Sequence, residues 1–293
     1  MNLSYERLNT LCQSAIAAAC LAGDCIMTHY GRIEDIGSKG REQMAGDVVT
    51  LADQQAQSII LSILRPLDPE IGIVAEEEGQ DADRSRFEKE CFWCIDPLDG
   101  TLPFIERING FGVSIALVTR EGEPLIGVAH LPALGETYWA VKGGKAYKNG
   151  KEINLEKQRG TLRLSFAWPD VATPEGHARF LHIVKRLKEM EGCKSVEMSL
   201  HSGAVIKACR VADKPPAIYL SFPRPAGASI WDFAATACIL KAAGAWVSDI
   251  YGNPMDLNRA DSTYMHYRGI LYASDAELAK TVLEAYTGFE AGR

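Results

Sequence analysis

The stretch Trp93-Cys-Ile-Asp-Pro-Leu-Asp-Gly-Thr101 decides the architecture of this chain, because it joins a buried strand to a turn and a helix. The apolar run from Cys91 to Ile95 predicts the strand, and Asp96 follows at its end. Asp99 comes three residues later, before a glycine turn. Such a junction places two carboxylates and a free backbone carbonyl on one side, and hard divalent cations take oxygen ligands of this kind. The helix start offers N–H groups to an anion, so the stretch predicts a cation site beside an anion pocket, as phosphoryl transfer requires.

Two further acidic residues fit this site. Glu76 opens a run of three glutamates after the apolar run Ile71 to Ala75, so its carboxylate is predicted at a strand end. Asp232 lies at a predicted helix start, where an aspartate is also an ordinary helix cap. Taken singly, Asp232 is better explained as a cap and Glu76 as a solvated charge. Their combination with Asp96 and Asp99 favours a metal-binding set.

Helices and strands are mixed along the chain. Helices are predicted at residues 4–29, 174–190, 202–211 and 230–243. A further helix is predicted to follow residues 48–53 and to run to about residue 64, and a loop is predicted at residues 32–46. Strands are predicted at residues 71–75, 91–95, 111–118, 124–130, 137–141, 162–168, 194–198 and 217–222. This pattern predicts an α/β (α+β) protein. A soft boundary near residue 155 divides it into an N-terminal α+β half, 1–155, with metal-binding motifs, and a C-terminal α/β half, 156–293, that supplies Asp232 and substrate contacts.

Composition disfavours several functional classes. The 293 residues are 47% hydrophobic, which suffices for one large domain or two intimate ones. The formal net charge of -7 disfavours binding to a nucleic acid polymer, which needs basic patches. The most apolar early stretch, Ser14 to Met27, contains Asp24 and is shorter than the roughly 20 apolar residues of a membrane span. No basic segment precedes it, as one would in a signal peptide. We therefore expect no membrane span.

The eight cysteines are scattered, and most lie within apolar runs. The residues in such runs are Cys12, Cys20, Cys25, Cys209 and Cys238. We interpret them as buried thiols of a reducing compartment, which predicts a cytoplasmic location. Cys91 and Cys94 form a C-x-x-C pair, but no second pair completes a zinc site, and the pair lies inside a predicted strand. A structural role is therefore the favoured interpretation of this pair.

Other hydrolase chemistries fit the sequence less well. A phosphatase of the haloacid dehalogenase type needs two aspartates that are two residues apart, whereas Asp96 and Asp99 are three apart. The chain contains no G-x-x-x-x-G-K-[ST] phosphate loop and no G-x-S-x-G nucleophile motif. Its six histidines have no spacing typical of metal ligands.

Four motifs resemble signatures of the inositol monophosphatase family. The stretch from Trp93 to Val118 is similar to its central W-x-x-D-P-x-D-G-T signature and the V-S-I strand that follows. The stretch from Trp231 to Gly252 is similar to its W-D-x-A-A signature with a later A-G-G/A. Ala75-Glu-Glu77 resembles the small-Glu-Glu motif, and Asp47-Val-Val-Thr-Leu-Ala-Asp53 resembles the D-x-V-T-x-x-D motif. All four occur in the family's order and at its spacing.

This resemblance implies a layered αβαβα sandwich of the inositol monophosphatase and fructose-1,6-bisphosphatase type, and a magnesium-dependent hydrolase of phosphomonoesters. It implies two magnesium ions and a third, weaker one that relies on Glu76. The implied metal ligands are Glu76, Asp96, the carbonyl of Leu98, Asp99 and Asp232. The backbone of Gly100 and Thr101 would bind the phosphate, and Asp232 would also contact the substrate. Thr101 and Asp53 would orient and deprotonate the attacking water near Glu76, with no phospho-enzyme.

Departures from the family pattern bear on the substrate, a small phosphorylated metabolite. Pro103 stands where the family has Asn or Glu, and Pro225 stands where the inositol branch has a glutamate that contacts inositol hydroxyls. Residues 222–232 resemble instead the P-R-x-x-x-x-S-x-W-D run of the 3'(2'),5'-bisphosphate nucleotidase branch, in which an arginine at the place of Arg224 can meet a nucleotide phosphate. Residues 47–50 are closer to the inositol branch. A bisphosphate nucleotide is the first interpretation, and inositol 1-phosphate is the alternative.

Three questions stay open at this point. Arg224 is explained equally well as a substrate contact and as a structural arginine. A non-catalytic relative that keeps the fold and a metal is disfavoured, because all the implied ligands are present. The resemblance implies a monomer for the nucleotidase branch and a homodimer for the inositol branch.

Overall fold

The computed structural model describes residues 3–31, 38–77, 84–156, 158–225 and 227–291, with the backbone alone for 38–50 and 85. Two long helices, α1 (Tyr5–His29) and α2 (Ser38–Leu64), pack against each other. Helix α1 begins after Ser4, whose hydroxyl accepts a hydrogen bond from the backbone N–H of Arg7 at 3.2 Å. It buries an alanine-rich face, and the helix predicted at residues 4–29 is confirmed.

Helix α2 begins earlier than the sequence analysis predicts. The predicted loop at residues 32–46 is wrong from Ser38 onward, where the backbone is helical. Helix α2 is anchored by its C-terminal part, in which Ala52, Ala56, Ile60 and Leu64 are buried at four-residue spacing. Once that part has formed, each added residue gains a hydrogen bond, so the helix extends through the glycines that favour a loop locally.

The first sheet has seven strands in chain order, of which the last six form an antiparallel meander. Its strands are β1 (Ile71–Ala75), β2 (Cys91–Asp99), β3 (Gly112–Thr119), β4 (Pro124–Leu131), β5 (Glu136–Val141), β6 (Ala146–Lys148) and β7 (Lys151–Glu152). Two short helices, α3 (Ser85–Glu88) and α4 (Thr101–Ile105), flank β2 in sequence. Strand β1 runs parallel to β2, and the other neighbours are antiparallel. The predicted strands from residue 71 to residue 141 are confirmed, and β2 extends four residues beyond its predicted end.

The second sheet has five strands in the order β11-β12-β10-β8-β9. Its strands are β8 (Gly160–Ser165), β9 (Cys193–Ser199), β10 (Ala217–Ser221), β11 (Trp246–Ser248) and β12 (Ile270–Ala273). The helices of this part are α5 (Pro174–Lys188), α6 (Ala204–Asp213), α7 (Ile230–Ala243) and α8 (Ala276–Ala291). Elements β11, β12 and α8 were not predicted. The two strands are short, and β12 is buried along its whole length between other elements, so its sequence carries no alternation.

Three helical layers and two sheets alternate. Alternate residues of β2 face opposite sides, so Trp93 joins the core formed with α1 and α2, whereas Phe92 joins the core formed with α6 and α7. That second core also contains Tyr219 and Tyr272 of the second sheet. The outer face of the second sheet packs on α5 and α8. The fold is therefore the expected αβαβα sandwich. The division into two domains near residue 155 stays a prediction.

All eight cysteines lie in the described part of the chain, and none of them forms a disulfide bond. Cys91 and Cys94 belong to cores on opposite sides of the first sheet, which explains why this pair is structural. Cys12, Cys209 and Cys238 are buried, while Cys20 and Cys25 are partly exposed.

Among the described residues, α1 alone is long and apolar enough to span a membrane by length and composition, with a mean hydropathy of 1.5 over its most apolar window. A helix that packs into the core of a protein meets the same criteria, and the alanine face of α1 lies in the core.

Candidate active site

Two parallel strands bring Glu76 and Asp96 together. Ala75, the last residue of β1, pairs with Ile95 of β2, and the backbone N–H of Glu76 donates to the carbonyl of Ile95 at 3.1 Å. The next residue along each strand is acidic. The ends of adjacent parallel strands meet at one edge of a sheet, so the two carboxylates lie side by side.

An irregularity in β2 brings Asp99 to the same place. Residues three apart in a regular strand point to opposite faces. The pairing of β2 with β3 shifts between Asp96, opposite Ser114, and Asp99, opposite Gly112. This bulge contains the proline and re-aims the chain. The backbone N–H of Leu98 donates to Asp96 Oδ1 at 3.0 Å, so the main chain of Leu98 folds back against the first carboxylate.

The start of helix α6 holds the Asp99 carboxylate. The N–H groups of Ala204 and Val205 donate to its two oxygens at 3.0 and 2.8 Å. Unpaired N–H groups at a helix start favour an anion there. A Cβ atom at Gly203 would lie 2.2 Å from Asp99 Oδ2, so this approach requires a glycine. Helix α6 thus fixes Asp99 from a segment more than 100 residues away.

Asp232 lies where it can act both as a helix cap and as a member of the acidic set, the two roles considered from the sequence. It is the third residue of α7 and accepts a hydrogen bond from the backbone N–H of Ser229 at 2.6 Å, which makes it part of the helix cap. Its carboxylate also lies near those of Asp96 and Asp99. One oxygen of each of these three residues lies within 4.8 Å of the others. We call this set the carboxylate cluster.

The electrostatics of the carboxylate cluster fit a divalent cation. Burial raises the pKa of Asp96 well above its usual range, and Glu76, Asp232 and Asp99 raise it further. Burial, followed by the charge of Asp99, likewise raises the pKa of Asp232 well above its usual range. Burial raises the pKa of Asp99 to about 6, against the hydrogen bonds from the α6 backbone. Buried carboxylates that repel one another are stabilised when a cation neutralises them, and an all-oxygen donor set suits magnesium.

Asp53 and Glu76 stand at the edge of the carboxylate cluster. Asp53 of α2 is 5% exposed, and burial, then Glu77 and Glu76, raise its pKa to about 8. Desolvation raises the pKa of the Glu76 carboxyl, with Glu77 and Asp99 adding to the rise against a hydrogen bond with Asp96. The side chains of residues 47–50, predicted to belong to the same motif as Asp53, lie outside the described residues.

The predicted phosphate donors lie beside the carboxylate cluster. Gly100 adopts a left-handed conformation with φ 90° and ψ 46°, and a Cβ atom there would lie 2.7 Å from the carbonyl oxygen of Gly110. This glycine turn separates Asp99 from the start of α4. Thr101 is the first residue of that helix and is exposed. The first N–H groups of a helix have no partner within it and are available to an anion.

Arg224 is tied into the protein interior. One of its terminal nitrogens donates to Asp170 Oδ1 at 2.9 Å and to Ser221 Oγ at 3.1 Å. The other lies 3.2 and 3.1 Å from the two ring nitrogens of His266. The side chain is 20% exposed. These contacts support a structural role for Arg224, and its contact with a substrate stays a prediction.

Sequence analysis missed Lys207 and Asp170. Lys207 of α6 is 6% exposed, and burial lowers its pKa, while the charges of Asp99 and Asp170 raise it. Its side chain makes no hydrogen bond or ion pair with the described part of the chain. The available signal was a single lysine within the apolar run 204–209. Asp170 carried no such signal.

Comparison with known proteins gives consistent results. The model of the inositol monophosphatase family matches residues 7–287. The chain is 34% identical to the 3'(2'),5'-bisphosphate nucleotidase CysQ of Escherichia coli over 259 residues, which cover 87% of this chain and 95% of that protein. It is 28% identical to a fructose-1,6-bisphosphatase/inositol-1-monophosphatase of Thermotoga maritima, over 91% of this chain and 94% of that protein.

Solved structures share the same architecture. CysQ from Bacteroides thetaiotaomicron, described as a bacterial member of the inositol monophosphatase family, superposes with a TM-score of 0.72 at 27% identity, over 94% of this chain and all of that one. An inositol monophosphatase from Zymomonas mobilis gives a TM-score of 0.72 at 24% identity, over 98% and 100% of the two chains. The present chain belongs to the inositol monophosphatase family and is a phosphoric monoester hydrolase.

Proposed function

We propose that this enzyme is a magnesium-dependent 3'(2'),5'-bisphosphate nucleotidase, which removes one phosphate from a nucleoside bisphosphate. The observation that carries the phosphatase chemistry is the carboxylate cluster beside the start of α4. Three carboxylates that repel one another in a buried place match a divalent cation, and an adjacent helix start matches a phosphate. The proposed metal ligands are Glu76, Asp96, the carbonyl of Leu98, Asp99 and Asp232, for two ions with a third at Glu76.

The chain's own residues supply binding and proton transfer in this proposal. The backbone N–H groups of Gly100 and Thr101 bind the phosphate and keep it in line with the attacking water. Thr101 and Asp53 orient that water and take its proton, near Glu76. Burial raises the pKa of Asp53, so its ionised form is a stronger proton acceptor than an exposed carboxylate. Magnesium, when bound, offsets the charge that develops on the phosphate oxygens and makes a water more acidic.

Buried cationic charge supports a substrate with a second phosphate. Lys207 lies close enough to Asp99 and Asp170 for their charges to raise its pKa, and Arg224 is bound to Asp170. A largely buried ammonium that has no direct ion pair is stabilised further by a bound anion. A bisphosphate nucleotide supplies that second anion, whereas a polyol monophosphate does not. The similarity to CysQ of Escherichia coli points to the same class.

Inositol-1-monophosphatase activity is the second candidate. The relative from Thermotoga maritima carries that name, and residues 47–50 resemble the inositol branch. A cytoplasmic location and a monomeric or homodimeric state remain predictions for both candidates.

The deciding experiment is magnesium-dependent phosphate release from 3'-phosphoadenosine 5'-phosphate and from inositol 1-phosphate under identical conditions. The proposal predicts a strong preference for the nucleotide. It also predicts that Lys207→Met lowers kcat/KM for the nucleotide more than for inositol 1-phosphate. A preference for inositol 1-phosphate in the unchanged enzyme would reject the nucleotidase assignment in favour of the second candidate. No phosphate release from these two compounds or from several other phosphomonoesters, with magnesium present, would favour a non-catalytic relative.

A further inference from the structure

A cavity of about 450 Å³ opens next to the carboxylate cluster. Asp99 and Gly100 form its inner end. Its walls come from helix α4, with Leu102 and Pro103, from the loop 200–203, and from Trp168. The volume lies in the usual range of small-ligand pockets. A substrate whose phosphate lies at the start of α4 therefore has the rest of its structure beside these walls.

The walls of this cavity expose unusual apolar surface. Trp168 is 66% exposed and Leu102 is 63% exposed, the highest values among large hydrophobic side chains in the described ranges. Single exposed apolar residues are common on protein surfaces and need no explanation. Here both line one cavity, together with buried Pro103 and with Leu200. The cavity thus combines a charged inner end with walls that are mainly apolar and that also carry Glu106, His201 and Ser202.

The turn that carries Trp168 is held rigidly. Residues Trp168–Asp170 form a single turn of 3-10 helix that contains Pro169. The buried carboxylate of Asp170 accepts hydrogen bonds from the backbone N–H groups of Ala167 at 3.0 Å and Phe222 at 2.9 Å. It is also bound by Ser221 and Arg224. The turn is therefore fixed to the end of β10, and a rigid aromatic side chain loses little conformational entropy when it binds a ligand.

We infer that Trp168 determines substrate specificity by stacking on the nucleobase of a nucleoside phosphate bound in this cavity. This inference rests on the proposed phosphatase function. The indole offers a flat π-face, which stacks on any base. A polyol ring has no π-face and carries a hydroxyl group on most of its carbons, so it gains less from the indole, Leu102 or Pro103 than a flat base does. Trp168 thus favours binding of phosphate esters that carry a base over polyol phosphates, whereas the carboxylate cluster does not distinguish between their phosphate groups.

The test compares Trp168→Ala, Trp168→Phe and the unchanged enzyme with 3'-phosphoadenosine 5'-phosphate and inositol 1-phosphate. Loss of a stacked base typically corresponds to a fall of about 10–100-fold in kcat/KM for the nucleotide in Trp168→Ala. We expect a fall of less than about 3-fold in Trp168→Phe, which keeps a ring, and no change beyond about 2-fold with inositol 1-phosphate. Leu181→Ala, at an exposed site on α5, is the matched control and should change neither value.

A binding measurement makes the result independent of turnover. Adenosine 5'-monophosphate, titrated into the unchanged enzyme, should quench tryptophan fluorescence, and Trp168→Phe should lose that quenching. An unchanged nucleotide preference in Trp168→Ala, or quenching that persists in Trp168→Phe, would overturn the inference while leaving phosphatase activity intact. A chain without phosphatase activity that still shows quenching dependent on Trp168 would instead overturn the proposed function alone.

Discussion

Two acidic groups in this protein differ in how their charge is balanced. The carboxylate cluster of Asp96, Asp99 and Asp232 is surrounded by further acids. A second group, which we call the paired cluster, joins the first sheet to α6. In it, Lys148 bonds to Glu136 at 2.8 Å and also to Asp213, and Arg210 reaches Glu136 at 2.8 Å and Asp213 at 3.1 Å. The Tyr138 hydroxyl lies 2.9 Å from Glu136 and 2.8 Å from Asp213, so its single proton is shared between the two acids.

The pKa shifts of the two groups run in opposite directions. Burial raises the pKa of Glu136, but hydrogen bonds from Lys148 and Arg210 outweigh burial and lower it overall. In the carboxylate cluster, burial and neighbouring acids together raise the pKa of Asp96 and Asp232. The paired cluster is thus neutralised by its own cations, whereas the carboxylate cluster is left to be neutralised by protons or by a bound cation. Acidic groups that a protein leaves unbalanced in its interior are candidates for function.

The largest expected effect is on turnover. Asp96→Asn and Asp232→Asn each remove an anionic group from the proposed metal site, so we expect kcat/KM to fall by more than about 100-fold. Loss of a group that only hydrogen-bonds to a metal ligand already costs about 10–100-fold. Asp232→Asn keeps a side chain that can cap α7. Phosphate release, with circular dichroism to verify the fold, measures this effect. Full activity in either variant would remove that residue from the metal site.

The next effect concerns magnesium and stability. A carboxyl whose pKa is raised in the folded state contributes stability at low pH, and this is lost as pH rises through the folded pKa. At neutral pH and with a chelator, Asp96→Asn should therefore unfold at a higher temperature than the unchanged protein. Saturating magnesium should stabilise the unchanged protein by about 2–3 kcal/mol and Asp96→Asn by less. Thermal unfolding with and without magnesium measures both, and equal responses would contradict a metal role for Asp96.

Breaking the paired cluster should produce the reverse pattern. Asp213→Asn removes an acid that three side chains contact, and we expect a loss of about 2 kcal/mol in the free energy of unfolding, since the partly exposed cations are partly solvated. Turnover and the response to magnesium should not change. Urea unfolding and phosphate release measure the two outcomes. A loss of activity with unchanged stability would assign the paired cluster to the active site.

The smallest expected effect is on how the free energy of unfolding depends on pH, and it involves His266. Burial, then the charges of Arg224 and Lys207, lower the pKa of His266 to about 3 from 6.5. Between these values the unfolded chain binds a proton that the folded one does not, so stability falls as pH decreases below 6.5. From pH 6.5 to 5.5 this amounts to about 1 kcal/mol. The raised pKa values in the carboxylate cluster act in the opposite direction, because they favour the folded state as pH decreases.

His266→Asn tests this contribution, because an amide oxygen can accept the hydrogen bond that Ala228 donates to His266 Nδ1 at 2.7 Å. Unfolding of the unchanged protein and the variant at pH 6.5 and 5.5 should show a smaller loss in the variant. An identical loss of stability would show that the pKa of His266 does not differ between the folded and unfolded states enough to matter in this pH range.

Local sequence determined most of the fold and the candidate ligands of this protein. Alternating and continuous apolar runs define β1 to β5, and the caps define α5 and α7. Asp96 and Asp99 could be chosen from sequence because a strand, a proline and a glycine turn constrain them within a few residues. Elements β11 and β12 were not predicted, because a short strand forms through its neighbours in the sheet.

Only the tertiary structure decided what surrounds those ligands. Helix α6, whose Gly203 no local pattern singled out, fixes Asp99. Asp170 reaches Phe222 and Arg224 across more than 50 residues, and Trp168 and Leu102 line one cavity only once the chain has folded. Sequence periodicity reports which face of an element is buried, but it carries no record of which distant residue is the neighbour. The candidate metal ligands are therefore readable from local sequence, whereas the cations and apolar walls proposed to select the substrate come from packing.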